Sequence, residues 1–366
     1  MTPRERYLTA INNEKPDYLP CTVHCWMGYY LKNYLPAKDQ FEAYDMVGMD
    51  YVIFAGPDLI CDDKERANWQ CERRDTGVDD SGYQTFVDVI TTPSGTLTSA
   101  GAYNEITGWT TEYLIKSKSD FEIFNKHYPV PVKSDFSALT AMAERVGDKG
   151  IIRGGMFGYG QVGAWQSFCC LVGTTSAIYH AIDDPDWVHY VEQSLVDKQL
   201  RTIELMKGAP MDLIETGGGA GSNTVISPKL HEEFCLPYDR QQHDALHEAG
   251  FKIVYHLCGG LMGMLDLVVR NGADGLETMT PPSMGGDCDL AEAKRRVGDK
   301  LFFIGGFDQN RGFEKGDPET VRKMVRELHA ACPDGGFICC ASDHFFSGDP
   351  ENIRAFVKAC AECKYQ

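Results

Sequence analysis

Short apolar runs, each followed by a segment of helix length, recur through the second half of this 366-residue chain. They lie at residues 211–214 (MDLI), 252–255 (KIVY), 275–279 (GLETM), 301–304 (LFFI) and 336–340 (GFICC). Their starts are about 20 to 40 residues apart, which is the spacing of β/α units. Three of the runs end in glycine-rich turns, at 217–219, 259–260 and 305–306. Strand-like runs at 19–24, 51–55 and 150–154 bring the count to eight. Eight parallel strands alternating with helices predict one α/β domain over residues 1–366, a single (β/α)8 TIM barrel. An open doubly wound sheet is the alternative, but no strand is followed by GxGxxG, so its phosphate-binding logic is missing.

The first third departs from this rhythm. Near residues 67–118 the chain turns to short runs rich in Thr, Val, Tyr and Gly, such as 84–91 (QTFVDVIT) and 95–98. These predict antiparallel hairpins inserted into the barrel. Before them, Pro3 to Asn13 has a helical pattern with Thr2 as N-cap and Pro3 at the first helical position. A later helix is predicted over 187–206, where apolar residues recur every three or four positions.

Charge narrows the function classes. The chain has 53 acidic and 35 basic side chains, a formal net charge of −18. Such a surface repels a phosphate backbone, so no nucleic-acid partner is expected. No apolar stretch is long enough for a membrane span, and the opening MTPRERY is polar where a secretory signal needs an apolar core. The expectation is a cytoplasmic protein with no membrane partner. Its 14 cysteines are spread thinly along the chain, which predicts reduced thiols, mostly small buried residues with a few free to bind metal.

In a barrel the chemistry sits at the C-terminal ends of the strands. That rule selects His256 and Cys258 after KIVY, Glu215 after MDLI, Glu277 within GLETM, Asp308 after LFFIGGF, and Cys339, Cys340 and His344 at the last strand. His256 and Cys258 are two apart, so on an extended segment they share a side, and an imidazole beside a thiolate is half of a tetrahedral zinc site. The plainer reading is a core histidine beside inert thiols. The plainer readings of the acids are a loop cap for Glu215, a turn-closing role for Asp308, and for Glu277 a partner that fixes the His256 tautomer. The aromatic stretch Trp26, Met27, Tyr29 and Tyr30 either lines an apolar pocket or belongs to the core.

The second half resembles the uroporphyrinogen decarboxylase superfamily, within it the cobalamin (corrinoid)-dependent methyltransferase branch. The stretches that carry the likeness are ISPKLHEEFCLPYDRQ (226–241), KIVYHLCGG (252–260), NGADGLETMTPP (271–282), LFFIGGFDQN (301–310) and SGDPENIRAFV (347–357). The decarboxylases of the superfamily carry an arginine-rich segment after the first strand that clamps substrate carboxylates. Here there is no arginine from Cys21 to Leu35, so a tetrapyrrole with eight carboxylates lacks its cationic partners.

The resemblance therefore implies a methyltransferase that moves a methyl group between a small methylated substrate, such as a methoxylated aromatic in an O-demethylation, and the cobalt of a separate corrinoid-binding protein. It implies zinc as cofactor, held by His256, Cys258 and a third ligand from the last strand. His344 is expected there rather than Cys339 or Cys340, because adjacent strand residues face opposite ways and His344 lies at the level of the mouth. Glu215, Glu277 and Asp308 are the expected catalytic acids. The alternatives are a decarboxylase acting on another acid and a non-catalytic metal- or corrinoid-binding partner.

Overall fold

The computed structural model describes residues 1–366. Its central sheet has eight strands: β1 (Cys21–Thr22), β2 (Tyr51–Phe54), β3 (Gly150–Gly154), β4 (Leu213–Gly217), β5 (Ile253–His256), β6 (Gly275–Thr278), β7 (Phe302–Phe307) and β8 (Phe337–Ala341). Their order in space is β1-β8-β7-β6-β5-β4-β3-β2, and every pairing is parallel. This is a nearly closed TIM barrel, and the open doubly wound alternative is set aside.

The seam between β1 and β2 is held by two tyrosine side chains. The Tyr44 hydroxyl donates to the Val52 carbonyl of β2 at 2.8 Å and lies 3.2 Å from the Thr22 hydroxyl of β1. The buried Tyr7 hydroxyl donates to the Cys21 carbonyl at 2.5 Å and lies 3.3 Å from that of Asp50. Tyr7 comes from the first helix, Pro3–Ile11, where Thr2 accepts from the Glu5 amide and the Glu5 side chain accepts from the Thr2 amide. This reciprocal cap satisfies two amides that a helix start leaves open.

β4 begins at Leu213 and runs to Gly217, and β7 extends to Phe307. β4 continues past its last apolar residue to Glu215 and Thr216, whereas β7 continues through two glycines to the buried Phe307. Glu215 and His256 lie within strands, not after them, and Glu277 lies within its strand as expected.

The predicted insertion is a four-stranded antiparallel sheet of 70–78, 84–92, 95–103 and 108–112. A second, two-stranded antiparallel sheet, 58–61 with 131–135, has no counterpart in the sequence reading. The inserted sheet rests on its own apolar cluster, in which Ile90 and Leu97 meet Phe121, Phe124, Phe168 and Trp187. The long helix Pro185–Met206 contributes Val188, Val191 and Leu195 to that cluster, the three-to-four spacing expected of a buried face. No helix is long and apolar enough to cross a membrane.

Candidate active site at the barrel mouth

The mouth is organised around a buried charge network. Arg153 of β3 has a side chain only 2% exposed and lies in an otherwise apolar strand. Its guanidinium donates to Glu215 of β4 at 2.8 Å and directly to Glu277 of β6. Burial opposes its charge, but Glu277 and then Glu215 outweigh that and hold its pKa above the ordinary arginine value. The same ion pair acts on Glu277. Burial would raise its pKa, yet Arg153 and then His256 hold it far below the usual carboxylate range.

His256 of β5 places Nδ1 2.8 Å from Glu277 Oε1 and 3.6 Å from Glu215 Oε1. The Cys258 thiol lies near the same ring and favours its charged form. Burial works against a charge on His256, but Cys258 and Glu277 more than compensate and keep its pKa well above the ordinary value. With Nδ1 turned to a carboxylate, Nε2 is the ring nitrogen left to face a ligand. This is the partner arrangement that metal-binding histidines use. The Cys258 sulfur packs against the backbone of Gly219, where an added Cβ would stand 2.4 Å from it. Glycine there makes room for the thiol beside the β4 loop.

Two further groups come from β1. His24 follows that strand, and its ring centre is 5.4 Å from that of His256 and 5.0 Å from that of His344. Burial lowers its pKa to about 4, so its ring stays neutral. The donor atoms of His24, His256 and Glu277 all lie within 4.8 Å of one another. Cys25 places its sulfur 3.5 Å from His344 Nδ1. Imidazole, thiol and carboxylate donors gathered in this way suit a borderline transition metal ion better than calcium or magnesium, which prefer all-oxygen shells.

The remaining predicted residues separate. His344 reaches the group through His24, on a loop held by Gln309, which donates to the His344 carbonyl at 3.2 Å and accepts from the Asp343 amide at 3.3 Å. Asp308 is not brought to His256. Its carboxylate accepts from Ser283 of the loop after β6 at 2.6 Å and from the Arg311 amide at 2.9 Å, which ties two neighbouring loops together.

Cys339, the alternative third ligand, lies away from the histidines. It faces out of the barrel, where its thiol meets Cys360 near Cys21. Cys340 faces in, toward Glu277 and Arg153, but it is buried and donates to the Ala341 carbonyl, and burial pushes its thiol pKa well up. In the aromatic stretch Tyr30 is fully buried and packs edge-on against Phe345, as does the half-buried Trp26, while Met27 and Tyr29 are half-buried.

The sequence reading missed Arg153, His24 and Cys25. A lone arginine in GIIRG was a signal, since a charge in a buried strand requires partners. His24 ends the first strand-like run, so the strand-end rule applied to that run would have found it.

The uroporphyrinogen decarboxylase (URO-D) family model matches residues 115–363. The chain belongs to this family. Among its relatives, a uroporphyrinogen decarboxylase of Pseudomonas putida is 29% identical over 207 residues, 51% of each chain. A methylated-thiol–coenzyme M methyltransferase of Methanosarcina mazei is 24% identical over 180 residues, 49% of this chain and 46% of that one. The chain thus spans about half the length of the curated relatives it matches. A solved methyltransferase from Methanosarcina mazei superposes with a TM-score of 0.67 over 99% of both chains at 15% identity, a likeness of fold.

Proposed function

We propose that this URO-D family member is a zinc-dependent methyltransferase that works with a corrinoid protein on a small methylated substrate, of which a methoxylated aromatic is the favoured example. The observation that carries the reading is the Arg153–Glu277–His256 relay ending beside Cys258 at the barrel mouth. It orients one imidazole and one thiol toward the same space, as a catalytic zinc site requires. His256 and Cys258 would hold the ion, joined by an imidazole from the adjacent rings, His24 or His344. Zinc bound there would supply a Lewis acid to polarise the heteroatom that carries or receives the methyl group.

The chain's own residues supply orientation and charge. Glu277 fixes the His256 ring through Nδ1, and Arg153 keeps Glu277 ionised so that it can do so. Glu215 shares the arginine and, 22% exposed, is the carboxylate of the relay that faces the open mouth. The one deeply buried arginine of the mouth is already paired with two carboxylates, and 21–35 carries no other. That favours methyl transfer over decarboxylation of a polycarboxylate. The relationship to the methylated-thiol methyltransferase supports the same class.

The test combines metal analysis of the purified chain with two assays: demethylation of methylcobalamin by a thiol, and methylation of cob(I)alamin by a methoxylated aromatic. One zinc per chain and turnover in either assay support the reading. Zinc-free protein, or zinc-loaded protein inert with both cobalamins, overturns it.

A further inference from the structure

We infer that the third protein ligand of the metal is His24, at the end of β1, and that His344 stands outside the coordination shell as the partner of Cys25. This rests on the zinc reading above and specifies its ligand set. Three observations point the same way. Two imidazoles bound to one tetrahedral zinc, each nitrogen about 2.0 to 2.1 Å from the ion, put their ring centres roughly 5 Å apart. The rings of His24 and His256 are 5.4 Å apart and tilted by 49°.

The donor atoms of His24, His256 and Glu277 also form a trio within 4.8 Å, which neither His344 nor Cys258 joins, so the case against His344 rests on its own partner. Within that trio Glu277 is already engaged by Arg153 and by His256 Nδ1. The two imidazoles are thus its open donors, and Cys258 adds sulfur beside His256. His344 is close to His24, with ring centres 5.0 Å apart, but its Nδ1 faces the Cys25 sulfur at 3.5 Å and its side chain is 37% exposed.

The charge of the site follows from this assignment. Two neutral imidazoles and one thiolate leave a dipositive ion with a net charge of about +1, whereas a second thiolate would neutralise it. An ion left positive suits a neutral oxygen donor, which deepens the preference for a methyl ether.

Zinc affinity of His24→Ala, His344→Ala and Cys258→Ala, measured by chelator competition, tests the assignment, with the absorption spectrum of the cobalt(II)-substituted proteins as second readout. His24→Ala should lose more than the roughly 10- to 100-fold typical of removing only a ligand's hydrogen-bond partner. His344→Ala should stay within about threefold of the parent protein and keep its cobalt spectrum. His24→Cys, which restores a donor, should regain metal and strengthen the thiolate-to-cobalt charge-transfer band, and this guards against loss by misfolding. If His24→Ala keeps the parent affinity and spectrum while Cys258→Ala loses metal, the inference fails and the zinc reading stands. If the parent protein binds no zinc, both fail.

Discussion

Arg153 on β3 and Glu277 on β6 form a direct ion pair across the barrel mouth, although β4 and β5 separate their strands in the sheet. The pair ties opposite walls together at the level where the ligands gather. Arg153→Met should leave Glu277 buried and unpaired, at a cost of about 3 to 5 kcal/mol. Urea unfolding of the single variant and of Arg153→Met combined with Glu277→Gln measures it; the double variant should recover part of the loss. Equal stability of parent and single variant would contradict the coupling.

Glu277→Gln keeps the shape of the side chain but removes the charge that fixes His256. Zinc affinity should fall by roughly 10- to 100-fold with the fold intact, because an outer partner of a metal-bound histidine contributes on that scale. Competition with a chromogenic chelator reads the change.

At Gly219 the backbone is compatible with alanine, but the new methyl would meet the Cys258 sulfur at 2.4 Å. The thiol, as the mobile group, should turn aside. Gly219→Ala is expected to fold with a stability change of about 1 kcal/mol or less, while binding zinc at least about tenfold more weakly. Loss of stability without loss of zinc affinity would show that the glycine serves packing alone.

A separate pH effect resides in the helix layer. Burial raises the Asp239 carboxyl to about 7, an effect that its hydrogen bond from the Tyr255 hydroxyl at 2.6 Å only moderates. Nearby Glu192 is shifted the same way, by burial and then by Asp239. The folded state therefore holds a proton that the unfolded chain releases near pH 4. Stability from this proton is present at acid pH, declines as pH rises from about 4 to 7, and amounts to up to about 4 kcal/mol. Asp239→Asn should flatten that decline in denaturant titrations at stepped pH; identical slopes would refute it.

The interiors of the strands were legible because runs such as KIVY and LFFI are apolar on both faces. Their upper ends were not, since polarity in a sequence reads as loop. Glu215, His256 and Glu277 are polar because they satisfy one another, a three-dimensional fact that local pattern does not carry. The same limit hid Arg153, whose partners lie 62 and 124 residues away. Asp308 and Cys339 obeyed the strand-end rule, and yet Asp308 ties its loop to the one after β6 and Cys339 faces the outer helices. Proximity to a strand end selects the right height in the barrel but not the direction of a side chain.

The β1 strand pairs with its neighbour through only two residues, and its other edge meets β2 through tyrosine hydroxyls in place of a backbone ladder. His256 and Glu277 stand on strands laddered on both sides. The barrel thus has one compliant stave, and His24 is mounted directly above it. A metal arriving at the mouth would meet a fixed jaw on β5 and β6 and an adjustable one on β1, so changes in ion radius or substrate bulk should be absorbed along this seam, leaving the rest of the cylinder in register.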